Sequence, residues 1–262
     1  MFKNCSSLTT LDLSSWNTSN VTDMNTMFSG CTKLQTITGL ENWNTSKVTN
    51  MLRMFQDCSS LTTLNVSNWN TSNVTDMQEL FFRCAKLQTI IGIENLNTSK
   101  VTTMYRMFRE SDVTSIDTSV WDISKVTNIG DFCNYCESLK NLTLSFSLTY
   151  SGVFHQAINL EQLTFKNCNI TLGNYAFVQA NNSKYQITMV NSTIVAETAD
   201  SSPGTRLSWN ENLTVDSLMS MINSLKDRSS TTSDTFTIGS KNLAKLSTAQ
   251  KKVATNKNWT LA

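Results

Sequence analysis

The chain has 262 residues, a net charge of +1, seven cysteines and one histidine. Balanced charge gives no long-range attraction to nucleic acid or to an acidic membrane surface. No apolar run reaches the roughly 18 residues that a membrane-spanning helix requires. We therefore expect no nucleic-acid partner and no membrane insertion by this segment.

A motif of 26 or 27 residues recurs through the first half of the chain. Four copies and a divergent fifth follow one another: Met1–Thr26, Met27–Arg53, Met54–Glu79, Leu80–Arg106 and Met107–Asp131. A unit this short cannot bury its apolar face alone, so the copies are predicted to stack on one another. Because the pattern is already in register at Met1, we expect the chain to be part of a longer protein.

Each copy contains [ML]-F-x-x-C-x-x-L-x-T-[LI], followed by W-N-T-S-x-V-T-x-M. The spacing of Leu8, Leu11 and Leu13 is typical of the short parallel strand of a leucine-rich repeat. The spacing of Met24, Met27 and Phe28 predicts one helical turn before each cysteine. The fold class predicted is an α/β solenoid: a leucine-rich-repeat-like stack of parallel short strands with short helical turns and a C-terminal α/β cap.

Cysteines share one position of the repeat: Cys5, Cys31, Cys58 and Cys84. Neighbouring copies would lie about 5 Å apart, which permits disulfide bonds, but a buried column of free thiols is the favoured interpretation. Cys133 and Cys136 form C-x-x-C. With His155 as the only histidine, a zinc site is disfavoured, and no metal or cofactor is expected.

Tryptophan and asparagine form two further columns. The first is Trp16, Trp43, Trp69 and Trp121, with Leu96 in the fourth copy; the second is Asn17, Asn44, Asn70 and Asn97. The leucine replacement favours burial of the tryptophans over an exposed sugar-stacking strip. The asparagines begin N-T-S glycosylation sequons, but hydrogen bonding at the corners of the repeat is favoured.

Charged residues mark the last position of each copy from the second onward, with alternating sign from Arg53 through Glu79 and Arg106 to Asp131, whereas the first copy ends on Thr26. We expect ion pairs that set the register more than they stabilise. A basic strip is the candidate ligand site, with solvated charge as the alternative: Arg53, Arg83, Lys86, Tyr105, Arg106 and Arg109. Sulfated glycan or an acidic protein would be the ligand. A binding module should also expose a contiguous aromatic or apolar patch, for which the candidates are Phe82, Ile91, Tyr105 and Tyr135.

The repeat weakens after Asp131. We divide the chain into repeats over 1–156, degenerate repeats and a loop over 157–204, and a cap over 205–262. Thr214 is predicted to cap a helix, and Ser247 with Gln250 forms a capping box for another. Strands are predicted at Thr235–Ile238 and Trp259–Leu261, so the cap reads helix–strand–helix–strand and is expected to cover the end of the stack.

The two repeat motifs resemble those of the BspA-like leucine-rich repeat surface proteins of bacteria. The resemblance is strong from Met1 to about Asp131. Gly173–Phe177 and the segment from Tyr185 to Val190 are similar to a second repeat type of that group. The resemblance implies a secreted or surface-anchored protein that takes part in adhesion. It also implies a non-catalytic protein, because the family has no catalytic residues.

Function is therefore expected to be binding and not catalysis. No phosphate-binding loop, G-x-S-x-G or H-E-x-x-H motif is present, and an enzyme acting on sugars is disfavoured. The leading hypothesis is an extracellular or cell-surface adhesion module, monomeric, whose partner is a host or bacterial surface protein or glycan. The alternative is a structural spacer or phage tail component without a ligand of its own.

Overall fold

The structure is a computed structural model that describes residues 1–147, 149–150, 153, 156–172, 186–197, 213–227, 234–236, 238 and 240–262. It divides into two compact units. The first contains Met1–Thr114 and Val120–Leu139, and the second contains Ser115–Ser119 and Lys140–Ala262. His155 lies outside the described residues, and so does Gly173–Phe177, which resembles the second repeat type.

Consecutive repeats of the first unit pair side by side. Its strands are β1 (Thr10–Asp12), β2 (Thr36–Thr38), β3 (Thr63–Asn65) and β4 (Thr89–Ile91). Strand β1 pairs in parallel with β2, and β3 pairs in parallel with β4. A second line of parallel bridges joins Asp23, Asn50, Asp76, Thr103 and Asn128. The predicted stacking of one repeat on the next is confirmed within this unit.

Repeats of two lengths alternate. The longer repeats, Met27–Arg53 and Leu80–Arg106, each contain a 3-10 helix, at Leu40–Asn42 and Ile93–Asn95. Each helix follows a glycine, Gly39 or Gly92, with φ of 88° or 85°. The shorter repeats are Met1–Thr26, Met54–Glu79 and Met107–Asp131, and they lack this glycine. A Cβ on Gly39 would lie 2.3 Å from the Ser14 amide nitrogen, so the longer repeat packs backbone to backbone on the shorter one before it.

The helical turn predicted before each cysteine is wrong. The segment from Met24 to Cys31 forms successive turns, closed by hydrogen bonds such as that from Met27 N to Met24 O (3.2 Å). Thr26 and Gly30 interrupt it with left-handed backbone, at φ 52° and 77°. Their amides donate to the next repeat, to Leu52 O and Gln56 O, instead of continuing a helix. Pairing between repeats therefore replaces local helical bonding.

Phenylalanine and cysteine columns form the core. Stacked rings run from Phe28 through Phe55 and Phe81 to Phe108, with centroids 5.3 to 5.8 Å apart. The cysteines are free thiols, and all except Cys5 are buried. Each buried thiol of the column donates to a phenylalanine carbonyl of the preceding repeat, as Cys58 Sγ does to Phe28 O (3.2 Å). The favoured interpretation, a buried column of free thiols, is confirmed at Cys31, Cys58 and Cys84, whereas Cys5 is exposed.

The C-x-x-C pair continues these two columns. Cys133 takes the phenylalanine position, because Phe108 N donates to Phe132 O (2.8 Å) in the register of the earlier repeats. Cys136 takes the cysteine position and donates to Phe108 O (2.9 Å). Burial raises the pKa of the Cys136 thiol to about 12, so it stays protonated at neutral pH. Both residues thus serve as core positions.

Tryptophan burial is confirmed at Trp43, Trp69 and Trp121. Trp69 Nε1 donates to Leu40 O (2.9 Å) and Trp121 Nε1 to Ile93 O (3.3 Å), both carbonyls of a 3-10 helix in the preceding longer repeat. Trp43 follows a shorter repeat, which has no such helix, and its Nε1 is buried without an acceptor among the described residues. The same place in the fourth repeat holds Leu96, which needs no acceptor.

Asparagine side chains brace the corners of the repeats. The Asn17 Oδ1 accepts from the Ser19 amide, and Asn44, Asn70 and Asn97 repeat this bond, each at 3.1 Å. These are Asx turns, in which the side chain fixes the direction of the following backbone. The column therefore has the structural role that its periodicity predicted.

Within the described residues, the second unit contains nine further strands and three α-helices. The strands are β5 (Ser115–Asp117), β6 (Asn141–Leu144), β7 (Thr149–Tyr150), β8 (Gln162–Lys166), β9 (Asn169–Leu172), β10 (Gln186–Val190), β11 (Thr193–Glu197), β12 (Asp234–Phe236) and β13 (Trp259–Leu261). They form parallel sheets in the orders β10-β8-β6-β5, β11-β9-β7 and β12-β13. The helices are α1 (Val215–Asn223), α2 (Ser240–Lys245) and α3 (Thr248–Asn256).

Helix α1 covers the exposed edge of β10. The amides of Ile187 and Met189 donate to the hydroxyls of Ser217 (3.0 Å) and Ser220 (2.9 Å) on this helix. An uncovered strand edge invites pairing with other chains, so these two serines close it. The Thr214 cap and the Ser247–Gln250 capping box form as predicted. Helix α2 was not predicted, and the β12–β13 pair forms a sheet of its own.

Candidate functional site

The predicted basic strip lies on two columns of left-handed backbone in the first unit. One column contains Arg53, Glu79, Arg106 and Asp131, with φ between 54° and 57°. The other, four residues further along each repeat, contains Asp57, Arg83, Glu110 and Tyr135, with φ between 57° and 60°. Non-glycine residues adopt this backbone at a cost of roughly 1–2 kcal/mol. Repetition of such strain with charged side chains, at four positions of the first column and three of the second, marks this surface as a candidate site.

Four arginines of this surface are paired with three carboxylates. We call the whole set the arginine strip: Arg53, Arg83, Arg106 and Arg109, the carboxylates Glu79, Glu110 and Asp131, and the rings of Phe82, Tyr105 and Tyr135. Arg53 Nε bonds to Glu79 (2.6 Å), Arg83 Nε to Glu110 (2.9 Å) and Arg106 Nε to Asp131 (3.1 Å). Each of these pairs joins a longer repeat to the shorter repeat after it.

Arg109 links the two columns. Its Nε bonds to Glu110 (3.0 Å) and its Nη1 to Asp131 (2.7 Å). Burial opposes the charge on Glu110, but hydrogen bonds from Arg109 and Arg83 outweigh it and lower the pKa of the carboxyl group. Burial likewise opposes the charge on Arg109, and its two carboxylate partners overcome this and raise the pKa of the guanidinium. Arg83, Glu110, Arg109, Asp131 and Arg106 thus form one connected ionic network, and Arg53 with Glu79 forms a separate pair.

Three arginines also stack on aromatic rings. The guanidinium carbon of Arg83 lies 4.7 Å from the Phe82 ring centroid, and that of Arg106 lies 4.5 Å from Tyr105. Arg109 lies 5.2 Å from the Tyr135 ring centroid. These distances are typical of cation–π pairs. Stacking and ion pairing together hold the guanidinium planes in fixed orientations.

Solvent reaches much of the strip. The side chains of Arg53 and Arg83 are 43% and 54% exposed. The terminal nitrogens of Arg53, Arg83 and Arg106 donate to no side chain in the described part of the protein, since each pairs through Nε alone. A guanidinium with free terminal nitrogens can still bind a carboxylate, sulfate or carbonyl group.

The other residues of the predicted sites differ in their exposure and in their relation to the arginine strip. Lys86 is exposed and makes no ion pair with the described residues. Ile91 is 48% exposed on β4, whereas Phe82 is buried beneath its arginine. The sequence analysis placed Asp131 in the charged column and Tyr135 in a candidate patch, but it did not join them to the basic strip, and it missed Glu110. Their signal was available, because each lies one repeat beyond an arginine or acid of the same column.

A cleft of about 500 Å³ adjoins the strip, lined by Ala85, Glu110, Ser111, Asp112, Tyr135 and Glu137. Asp112 accepts hydrogen bonds from Gln88 Nε2 (3.0 Å) and from the Ser138 hydroxyl. Across the described ranges, no three His, Cys, Asp or Glu residues are grouped so as to hold a metal ion. In the same ranges, no helix is both long and apolar enough to cross a membrane. The surface offers charged and aromatic contacts.

The chain is similar to leucine-rich proteins among the solved structures. A leucine rich cell surface protein from Faecalibacterium prausnitzii A2-165 aligns over 91% of this chain at 18% identity with a TM-score of 0.44. The chain spans 62% of the length of that protein. A leucine-rich repeat protein from Bacteroides ovatus ATCC 8483 aligns over 81% of this chain and 67% of its own, at 12% identity and a TM-score of 0.29.

Comparison with curated proteins finds no match. One family model matches residues 1–92 and 54–169, which together cover the repeats and extend into the second unit. It is a repeat family of the BspA-like leucine-rich kind that the sequence motifs indicated. The chain belongs to this family, which is described as Mycoplasma protein of unknown function, DUF285.

Proposed function

We propose that the chain is a non-catalytic binding module displayed on the cell surface, built as a leucine-rich-repeat solenoid with a C-terminal cap. Its partner is a macromolecule outside the cell, a surface protein or a glycan. The observation that supports this is the arginine strip. Three of its four arginines, Arg83, Arg106 and Arg109, stack on aromatic rings, and Arg53, Arg83 and Arg106 lie on left-handed backbone.

The composition of the strip favours a protein partner over a polyanion. Its four arginines face three carboxylates, so little net charge remains to attract a sulfated glycan. Arginine and tyrosine are instead the residues that dominate the energetics of protein interfaces. Fixed side chains also lose little entropy on binding, which raises affinity without additional contacts. The strip therefore suits recognition of a protein surface that carries carboxylates.

A structural spacer remains the second candidate, because the sheet face of the first unit is chemically bland. Its outward residues are small and polar at Thr10, Thr36, Thr63 and Thr89, all exposed. A spacer would have the same strands and the same repeat register. It would differ in having no partner for the arginine strip.

The test compares two variants that remove the same charge. The first carries Arg53→Gln, Arg83→Gln and Arg106→Gln; the second carries Lys47→Gln, Lys100→Gln and Lys125→Gln, exposed lysines of another column. Both and the parent chain would be applied to arrays of matrix proteins, surface proteins and glycans, and to heparin at low salt. Binding lost only in the arginine variant supports the proposal.

Three other outcomes separate the alternatives. Equal loss in both variants, with release by moderate salt, indicates nonspecific electrostatics. Binding to heparin but to no protein indicates a sulfated glycan. A parent chain that binds nothing on the arrays indicates the spacer.

A further inference from the structure

Apolar side chains on the upstream face of the first repeat are more exposed than the same side chains in later repeats. Phe2, Trp16 and Val21 are half-exposed there, whereas their counterparts Phe28, Trp43 and Val48 are at most 2% exposed. A cavity of about 360 Å³ opens beside them, lined in part by Met1, Trp16, Val21, Met24 and Trp43.

The hydrogen-bond donors on this face have equivalents in the third repeat, where their acceptors are known. In the third repeat, which is also a shorter one, four side chains donate to carbonyls of the longer repeat before it. These bonds are Cys58 Sγ to Phe28 O (3.2 Å), Trp69 Nε1 to Leu40 O (2.9 Å), Asn73 Nδ2 to Ser46 O (2.8 Å) and Thr75 Oγ1 to Thr49 O (3.1 Å). The first repeat carries the same four residue types in the same register, as Cys5, Trp16, Asn20 and Thr22.

One of the four donors distinguishes the two kinds of repeat. A shorter repeat supplies acceptors to the cysteine and threonine that follow it, as Phe2 O and Thr22 O do for Cys31 and Thr49. It supplies none to the tryptophan, because Trp43 Nε1 is buried and unpaired. Only the 3-10 helix of a longer repeat offers that carbonyl.

We propose that this face is a docking surface for a repeat of the longer kind, with a Gly-Leu-Glu-Asn turn whose carbonyl accepts from Trp16 Nε1. The surface uses none of the residues of the arginine strip and does not depend on the proposed function. Its contacts are those of the junction between the second and third repeats, continued by one further unit. Phe2, Trp16 and Val21 become buried, and Cys5 donates to a carbonyl.

The experiment joins one extra repeat directly before Met1 of the full chain. One fusion carries a copy of Met27–Arg53, the longer kind, and the matched fusion carries a copy of Met54–Glu79, the shorter kind. Unfolding is followed by tryptophan fluorescence, and the rate of Cys5 alkylation reports cover of the face, since the other six cysteines are buried. The longer fusion is expected to slow alkylation at least tenfold and to unfold about 2–4 °C above the shorter fusion.

Trp16→Leu sharpens the comparison. It should lower the unfolding midpoint more in the longer fusion, where a hydrogen bond is lost, than in the shorter fusion, where an unpaired N–H is removed. Equal midpoints for the two fusions, or equal effects of Trp16→Leu, would overturn the preference for the longer repeat. Unchanged alkylation of Cys5 in both fusions would overturn the docking surface itself. Concentration-dependent protection of Cys5 in the parent chain would show a second copy as the occupant instead.

Discussion

The longer and shorter repeats share their core columns but differ in how each meets its neighbour. Where a longer repeat precedes a shorter one, a 3-10 helix carbonyl accepts from tryptophan and arginine pairs with a carboxylate. Where a shorter repeat precedes a longer one, a glycine packs against serine backbone and the tryptophan N–H has no acceptor. The structural unit is therefore a pair consisting of one longer and one shorter repeat. The junction inside a pair and the junction between pairs are held by different contacts.

Glycine at the entry of the 3-10 helix should matter most. Gly92→Ala places a Cβ 2.1 Å from the Ser67 Cα and forces a side chain onto left-handed backbone. Overpacking and backbone strain together should lower the free energy of unfolding by about 3–4 kcal/mol. Urea denaturation measures the change.

Gly130→Ala is the control for this prediction. At Gly130 the added Cβ meets only the Tyr105 ring and the Asn128 side chain, at 3.3 and 3.4 Å. A change within about 1 kcal/mol is expected there. Similar losses at Gly92 and Gly130 would contradict the backbone-to-backbone packing of the junction.

Tryptophan replacement separates the two junctions directly. Trp69→Leu and Trp43→Leu remove similar buried rings, but only the first also breaks a hydrogen bond, and the second removes a buried unpaired N–H. We expect Trp69→Leu to cost about 1–3 kcal/mol more than Trp43→Leu in urea denaturation. Leu96 already occupies the equivalent of Trp43 in the other longer repeat. A larger cost at Trp43 would mean that its N–H is satisfied in solution.

Acid should weaken the ionic network at the junction between the fourth and fifth repeats. The folded pKa of Glu110 is lowered below its ordinary 4.5, so its stabilisation is present above about pH 4.5 and is lost as pH falls through the folded value. Glu110→Gln should flatten this part of the stability–pH profile measured by denaturation. Glu41→Gln, at a carboxylate without an ion pair among the described residues, is the control and should leave the profile unchanged. A Glu110→Gln profile that still falls like the parent's would remove Glu110 from the network.

The smallest effect on the free energy of unfolding is expected at the left-handed position that ends each repeat. Thr26 ends a shorter repeat with φ 52° and makes no ion pair, so Thr26→Gly should raise the free energy of unfolding by about 0.5–1 kcal/mol. Arg53→Gly at the equivalent position should instead destabilise, because it leaves Glu79, which is 5% exposed, without its partner. Stabilisation by both changes would show that the Arg53–Glu79 pair contributes little.

Several columns could be predicted because stacking copies the same residue to the same place. The Phe, Cys, Trp and Asn columns lie where the period put them, and the caps at Thr214 and Ser247 formed as expected. The charged column was predicted correctly in its order, from Arg53 to Asp131. Its pairing was only partly foreseen, since each arginine bonds to the acid after it.

By itself, the sequence determined the period, the residues that share a column and the parallel pairing of repeats, because a chain that repeats at a fixed length must superimpose equal positions. Tertiary structure decided what those positions bond to. The turns at Met24–Cys31, the acceptors of the tryptophans and the carboxylates around Arg109 depend on atoms in the neighbouring repeat, one full period away. A local sequence pattern identifies the donor, but it does not give the distance from that donor to an acceptor in the neighbouring repeat. That distance determines which of the two junctions contains the tryptophan hydrogen bond.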